Sequence, residues 1–138
     1  MDPVSAPFEH KFDPELTGAV IRRVVETFYV KARQDALLGP VFNALVEDWD
    51  AHIEKVTAFW LYAMRLDRSY EARDFMPAHV RHPQIQASLL PQWLSLFRQT
   101  ALDICTENVA RILIDIAERM AASIEISLGR RSPPGGGV

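Results

Sequence analysis

An all-α fold is predicted for this 138-residue chain by three features. Leu16, Val20, Val24, Phe28 and Ala32 recur every four residues, with Ile21 and Val25 widening the stripe, which is the spacing of one helix face. Three later stretches repeat that period, and no strand alternation, internal repeat or heptad seam interrupts them. Hydrophobic residues make up 49% of the chain, enough for a packed core. The length fits one domain. Its expected limits are residues 14–129, with an extension at 1–13 and a disordered tail at 130–138.

The first helix is expected to start at Asp13, a capping residue followed by Pro14 in the first turn and Glu15 at the positive end of the dipole. Gly18 is expected to mark a bend or a join between two helices. Gly39-Pro40 is expected to break the pattern after Asp35-Ala36-Leu37-Leu38, which reads as a short turn. A second long helix is predicted over 48–66, with Trp49, His52/Ile53, Val56, Phe59/Trp60 and Ala63 on its inner face. The stretch 67–84 holds Ser69, Pro77 and Pro83 and has little periodicity, so it reads as a loop carrying one short helix around 77–81. The third helix carries Leu90, Trp93/Leu94, Phe97, Ala101 and Ile104. Pro91 is placed either in the first turn of a helix starting near Ser88 or at a kink. The fourth starts near Thr106-Glu107, carries Val109, Ile112/Leu113, Ile116, Met120 and Ile124, and stops at Gly129.

Composition narrows the function classes. A net charge of -3 without a Lys/Arg block gives no support for nucleic acid as partner. No basic amphipathic helix marks a membrane surface, and no apolar run reaches the roughly 18 residues of a membrane span. The start Met1-Asp2-Pro3-Val4 lacks the basic and apolar regions of a signal peptide. Lone Cys105 excludes an intramolecular disulfide, and its apolar neighbours favour inert burial. The expected location is the cytoplasm.

Six side chains could carry chemistry. His79 lies in the short segment Met76-Pro77-Ala78-His79-Val80, too small to bury much by itself. It is either a surface histidine or the single axial ligand that haem iron commonly takes. His52 shares a helix face with Val56, as a core or groove-edge histidine, a second metal ligand, or a movable polar gate. Tyr29 beside Phe28 needs a partner for its hydroxyl, and Trp93 has an indole N–H that only donates. Each is core or a donor aimed at a ligand. Lys55 is a solvated lysine or a partner for a carboxylate such as a haem propionate. His82 forms a His-x-x-His pair with His79, weakened by Pro83. Glu-x-x-His pairs, a Cys-x-x-Cys-His motif, phosphate-binding glycine loops and Gly-x-Ser-x-Gly are missing.

Read in order, Phe28-Tyr29-Val30-Lys31, Leu38-Gly39-Pro40-Val41-Phe42-Asn43, Trp49-Asp50-Ala51-His52-Ile53-Glu54-Lys55-Val56, Phe59-Trp60, His79 and Gln92-Trp93-Leu94-Ser95-Leu96-Phe97 resemble the truncated haemoglobins, and most closely their third group, the P-type. The likeness spans residues 16–128. It implies the truncated globin fold, a two-over-two helical sandwich around non-covalent haem b. By position, His79 matches the iron ligand, and Tyr29, His52 and Trp93 the polar distal residues that act on a bound ligand. Phe28, Phe42, Lys55, Val56, His79, Trp93 and Ile116 are the expected haem-binding residues. Pro91 is not expected from the family pattern, and His82 has no family role.

The implied function is binding of oxygen and other diatomic gases, nitric oxide and carbon monoxide among them, at a five-coordinate iron. A charge-assisted hydrogen bond contributes roughly 1.5–3 kcal/mol, and ~1.4 kcal/mol is tenfold in rate or affinity. Two donors in the pocket therefore suit chemistry on the ligand, as a nitric oxide dioxygenase or a peroxidase-like activity, more than oxygen transport. Turnover would need an unidentified electron donor. The other readings are a haem sensor or store with both His79 and His52 on the iron, and a haem-free helical interaction module.

Overall fold

A computed structural model describes residues 13–64 and 85–129. The expected short helix at 77–81, His79, His82, residues 1–12 of the extension and the tail lie outside the described residues. Five α-helices and no strand occur among the described residues: α1 (Gly18–Gln34), α2 (Leu38–Leu45), α3 (Trp49–Ala63), α4 (Leu90–Ile104) and α5 (Glu107–Gly129). A short 3-10 turn, Ala87–Leu89, leads into α4.

Four of the five helix starts take a side-chain acceptor, but the first is not where the sequence suggested. Thr17 is the cap of α1, its hydroxyl accepting from Val20 N at 3.2 Å. Asp13 instead closes a turn: its carboxylate accepts from Glu15 N at 2.8 Å and its carbonyl from Leu16 N at 2.8 Å. Its other carboxylate oxygen accepts from Asn108 on α5 at 3.0 Å, which ties the turn to the far end of the sandwich. Gly18 is therefore the first residue of α1 and neither a bend nor a join. Gly39 and Pro40 do not break a helix; they occupy the first turn of α2. Proline fits there because its missing N–H has no helical acceptor to lose. Asp35 starts that helix, its carboxylate accepting from Leu37 N at 3.0 Å and Leu38 N at 2.9 Å. Asp48 caps α3, accepting from Ala51 N at 3.1 Å, and Thr106 accepts from Val109 N at 3.3 Å at the head of α5. Pro91 lies in the first turn of α4, which settles its two alternatives against a kink.

Helix α1 packs against α2, α3 and α4, and α4 packs against α5. This gives two layers, α1 with α3 and α4 with α5, joined where α1 meets α4. The core runs through the join: Ile21, Val24 and Phe28 from α1, Phe97 and Ala101 from α4, Val109 and Leu113 from α5. Ala32, Ala101, Ala110 and Ala117 are fully buried, and such small residues let helix backbones approach closely. Three of these helix pairs also have an ion pair at the rim: Arg22–Glu54 between α1 and α3, Lys31–Asp103 at 3.4 Å between α1 and α4, and Arg98–Glu118 at 2.9 Å between α4 and α5. These are solvent-exposed, so each contributes little to stability. No helix among the described residues is long and apolar enough to cross a membrane.

Candidate functional site

The candidate site is built around Tyr29. Helix α1 carries Phe28 and Tyr29 side by side, and the four-residue period turns both inward. Tyr29 is 6% exposed. Its ring meets four others edge-on or tilted: Phe28 at 5.1 Å and 82°, Phe42 at 5.3 Å and 84°, Trp49 at 5.5 Å and 58°, and His52 at 5.1 Å and 81°. Edge-to-face geometry at these separations is the favourable one for aromatic quadrupoles.

Within that cage the Tyr29 hydroxyl lies 3.2 Å from His52 Nε2. The bond has two forms. A neutral imidazole with its proton on Nδ1 accepts from the phenol; an imidazole or imidazolium carrying Nε2–H donates to it. Burial pushes the Tyr29 phenol well above its ordinary pKa, so the group stays protonated throughout the neutral range. His52 is half-buried in the first turn of α3, whose backbone is fixed by the Asp48 cap. Trp49, three residues earlier, is covered on one face by the Arg33 guanidinium at 4.4 Å. This cation–π contact holds the end of α1 against the start of α3.

Trp93 enters from α4. It meets Phe28 edge-on at 6.0 Å and lies nearly parallel to Phe97 at 5.7 Å and 12°. Phe97 is in turn parallel to Trp60 of α3 at 5.1 Å and 2°. Phe28 therefore touches both Tyr29 and Trp93, and the structure brings these two together with His52 and Phe42 in one aromatic cluster. Val56 and Ile116 are half-buried hydrophobics packed on the same core, and Lys55 is exposed. Among the described residues no cluster of histidine, cysteine or carboxylate side chains could hold a bare metal ion. Cys105 is half-buried, and burial raises its thiol pKa while Arg23 pulls the other way, which makes it a poor nucleophile.

Several contacts had no signal in the sequence. The Trp60–Phe97–Trp93 stack joins α3 to α4. Arg33 reaches Trp49 across the α2 segment. Asp35 accepts from Gln92 Nε2 at 2.7 Å. Trp49, Trp60, Gln92, Trp93 and Phe97 stand among the residues of the resemblance and Asp35 in the short turn, but none had a contact assigned, and Arg33 was not singled out.

The chain is 26% identical over 109 residues to the "Group 3 truncated hemoglobin ctb" of Campylobacter jejuni, covering 76% of this chain and 85% of that protein. The crystal structure of the group III truncated haemoglobin from Campylobacter jejuni superposes with a TM-score of 0.76 at 24% identity, over 84% of this chain and 94% of that one. No family model matches.

Proposed function

We propose that this chain, which has the truncated globin fold and resembles the group III truncated haemoglobins in sequence, is a haem protein that binds diatomic gases beside a polar distal cluster. One observation carries the reading. A tyrosine hydroxyl and an imidazole nitrogen, 3.2 Å apart, are enclosed by Phe28, Phe42 and Trp49 on three different helices. Polar groups are costly to bury unless they serve each other or a ligand.

The residues present suit haem. Phe28, Phe42, Val56, Trp93 and Ile116 are apolar or aromatic side chains on five helices, four of them half-exposed although they pack on the core, a lining suited to a flat apolar ring. Lys55 stays in water, where a propionate partner belongs. His79, outside the described residues, is the proposed axial ligand. Haem when bound supplies an iron that takes a diatomic ligand on its open face and, with an external electron donor, redox chemistry on that ligand.

The side chains then decide how the ligand is held. Tyr29 has one proton to give. If His52 accepts it, the phenol offers only lone pairs to the pocket. If His52 donates through Nε2–H, the phenol proton is released toward the ligand. The histidine tautomer thus sets the donor count of the site. Trp93 adds an indole N–H that needs no such switch. A ligand that gathers negative charge is held by both donors and released slowly, which suits conversion of nitric oxide or peroxide more than oxygen delivery.

Absorption spectroscopy is the first test. The purified protein should show a Soret band, and His79→Gly should retain haem weakly, with recovery on adding imidazole. An unchanged ferrous spectrum in His79→Gly would move the axial assignment to His82. Tyr29→Phe and Trp93→Phe should each speed oxygen dissociation roughly tenfold or more, since each removes one charge-assisted bond. Carbon monoxide, which gathers less negative charge, should respond less. Parent-like oxygen release in both variants would mean that neither donor meets the ligand. His52→Ala should change ligand entry rates and leave haem affinity nearly intact; a large loss of haem would favour iron held by both histidines.

A further inference from the structure

Trp93 sits in the first turn of α4, yet that turn has no side-chain cap of its own. What fixes it to the other layer is Gln92. The half-buried Gln92 amide donates to Asp35 Oδ1 at 2.7 Å. The other carboxylate oxygen, Oδ2, accepts from Leu37 N and Leu38 N and so starts α2, the helix that carries Phe42. The corner beneath it is rigid. A Cβ on Gly39 would lie 2.7 Å from the Arg33 carbonyl oxygen, and Asn43 Nδ2 donates to that same oxygen at 3.3 Å. One carboxylate therefore spans the end of α1, the start of α2 and the start of α4.

We infer that Asp35 and Gln92 form a positioning pair that sets the placement of the Trp93 indole relative to Tyr29 and Phe42. The pair acts through the backbone of α4, to which Gln92 belongs and which carries Trp93. For its effect on ligand release, this rests on the reading of Trp93 as a ligand-facing donor. For the placement itself, it does not.

The chemistry of the pair allows a sharp test. Gln92→Glu sets two carboxylates face to face and breaks the bond. It also puts an acidic residue at the positive end of α4, which by itself favours the helix. Asp35→Asn should be tolerated: its carbonyl oxygen keeps the Leu37 and Leu38 N–H groups, its amide faces Gln92, and the Gln92 amide flips to accept. The double variant Asp35→Asn/Gln92→Glu restores a donor–acceptor pair with the direction reversed.

The readout is the set of indole N–H cross-peaks of the purified 15N-labelled protein, which has three tryptophans. The Trp93 peak is the one lost in Trp93→Phe. It should shift or split in Gln92→Glu and in the neutral Gln92→Met, stay in place in Asp35→Asn, and return in the double variant. Thermal denaturation serves as the control that Gln92→Glu is folded. Oxygen dissociation should rise about threefold in Gln92→Glu, the size of one neutral hydrogen bond, and recover in the double variant. An unmoved Trp93 peak in both Gln92 variants, or no recovery in the double variant, overturns the pair. A moved and recovered peak with unchanged oxygen release upholds the pair and removes Trp93 from the ligand's donors.

Discussion

Tyr29 has the most constrained hydroxyl of the cluster, and its titration reports the constraint. Burial raises its folded-state pKa above the unfolded value. For such a group the stabilisation is complete below the unfolded pKa and is lost as pH rises through the folded one. Tyr29 should therefore ionise only with unfolding. In alkaline titrations the tyrosinate absorbance of the parent and of Tyr29→Phe should coincide before the unfolding transition and differ by one tyrosine after it. A difference before unfolding would place the phenol in contact with water. Thr57 is the opposite case. Its residue is 5% exposed and its Oγ1 has no hydrogen-bond partner among the described residues. A buried hydroxyl without a partner costs about 1–3 kcal/mol, so the isosteric Thr57→Val should stabilise the protein by up to about 1 kcal/mol in urea denaturation. A loss of stability would show that the hydroxyl does have a partner.

At the scale of elements, how much was legible depended on whether the deciding contacts were local. The starts of α3 and α5 were legible because Asp48 and Thr106 cap them from within their own turns. The start of α1 was not. Asp13 and Thr17 are both good caps four residues apart, and the Asn108–Asp13 bond across the molecule holds Asp13 in a turn of its own. Gly39-Pro40 misled for a related reason. Read along the chain the pair says break, but the Asp35 carboxylate supplies acceptors for the first N–H groups of α2, and a helix forms around it. The glycine answers to close packing: a Cβ there meets the Arg33 carbonyl at 2.7 Å, and backbone yields little. Gly39→Ala should therefore cost about 1–3 kcal/mol despite the better helix propensity of alanine, read from the denaturation midpoint. A gain in stability would show that the α1–α2 corner relaxes. In the site, residue types and order marked Tyr29, His52 and Trp93, but the bonds that orient them join residues far apart in sequence, which no periodicity encodes.

At the scale of the whole molecule, the question is what holds the two layers in register. The rim ion pairs are exposed, and exposed pairs contribute little to stability. Phe97 offers far more. It is 3% exposed on α4, stacks on Trp60 of the other layer at 5.1 Å and on Trp93 at 5.7 Å, and meets Phe28 of α1 at 6.1 Å. Removing a buried phenylalanine typically costs about 3–5 kcal/mol, several times any one rim pair. Stability and site geometry therefore converge on one ring, because Phe28, which meets Tyr29, and Trp93, which meets Phe28, both rest against it. Phe97→Ala should lower the unfolding free energy by about 3–5 kcal/mol, while Phe97→Leu, which refills most of the volume, should cost less. In both variants far-UV circular dichroism and tryptophan fluorescence should give coincident urea transitions, since a shared core unfolds as a unit. The Trp93 indole peak should move in Phe97→Leu even though the fold survives. A cost below about 1 kcal/mol for Phe97→Ala, beside larger losses on deleting Arg22 or Lys31, would mean that the layers are held by their charged rims and that the aromatic stack is incidental.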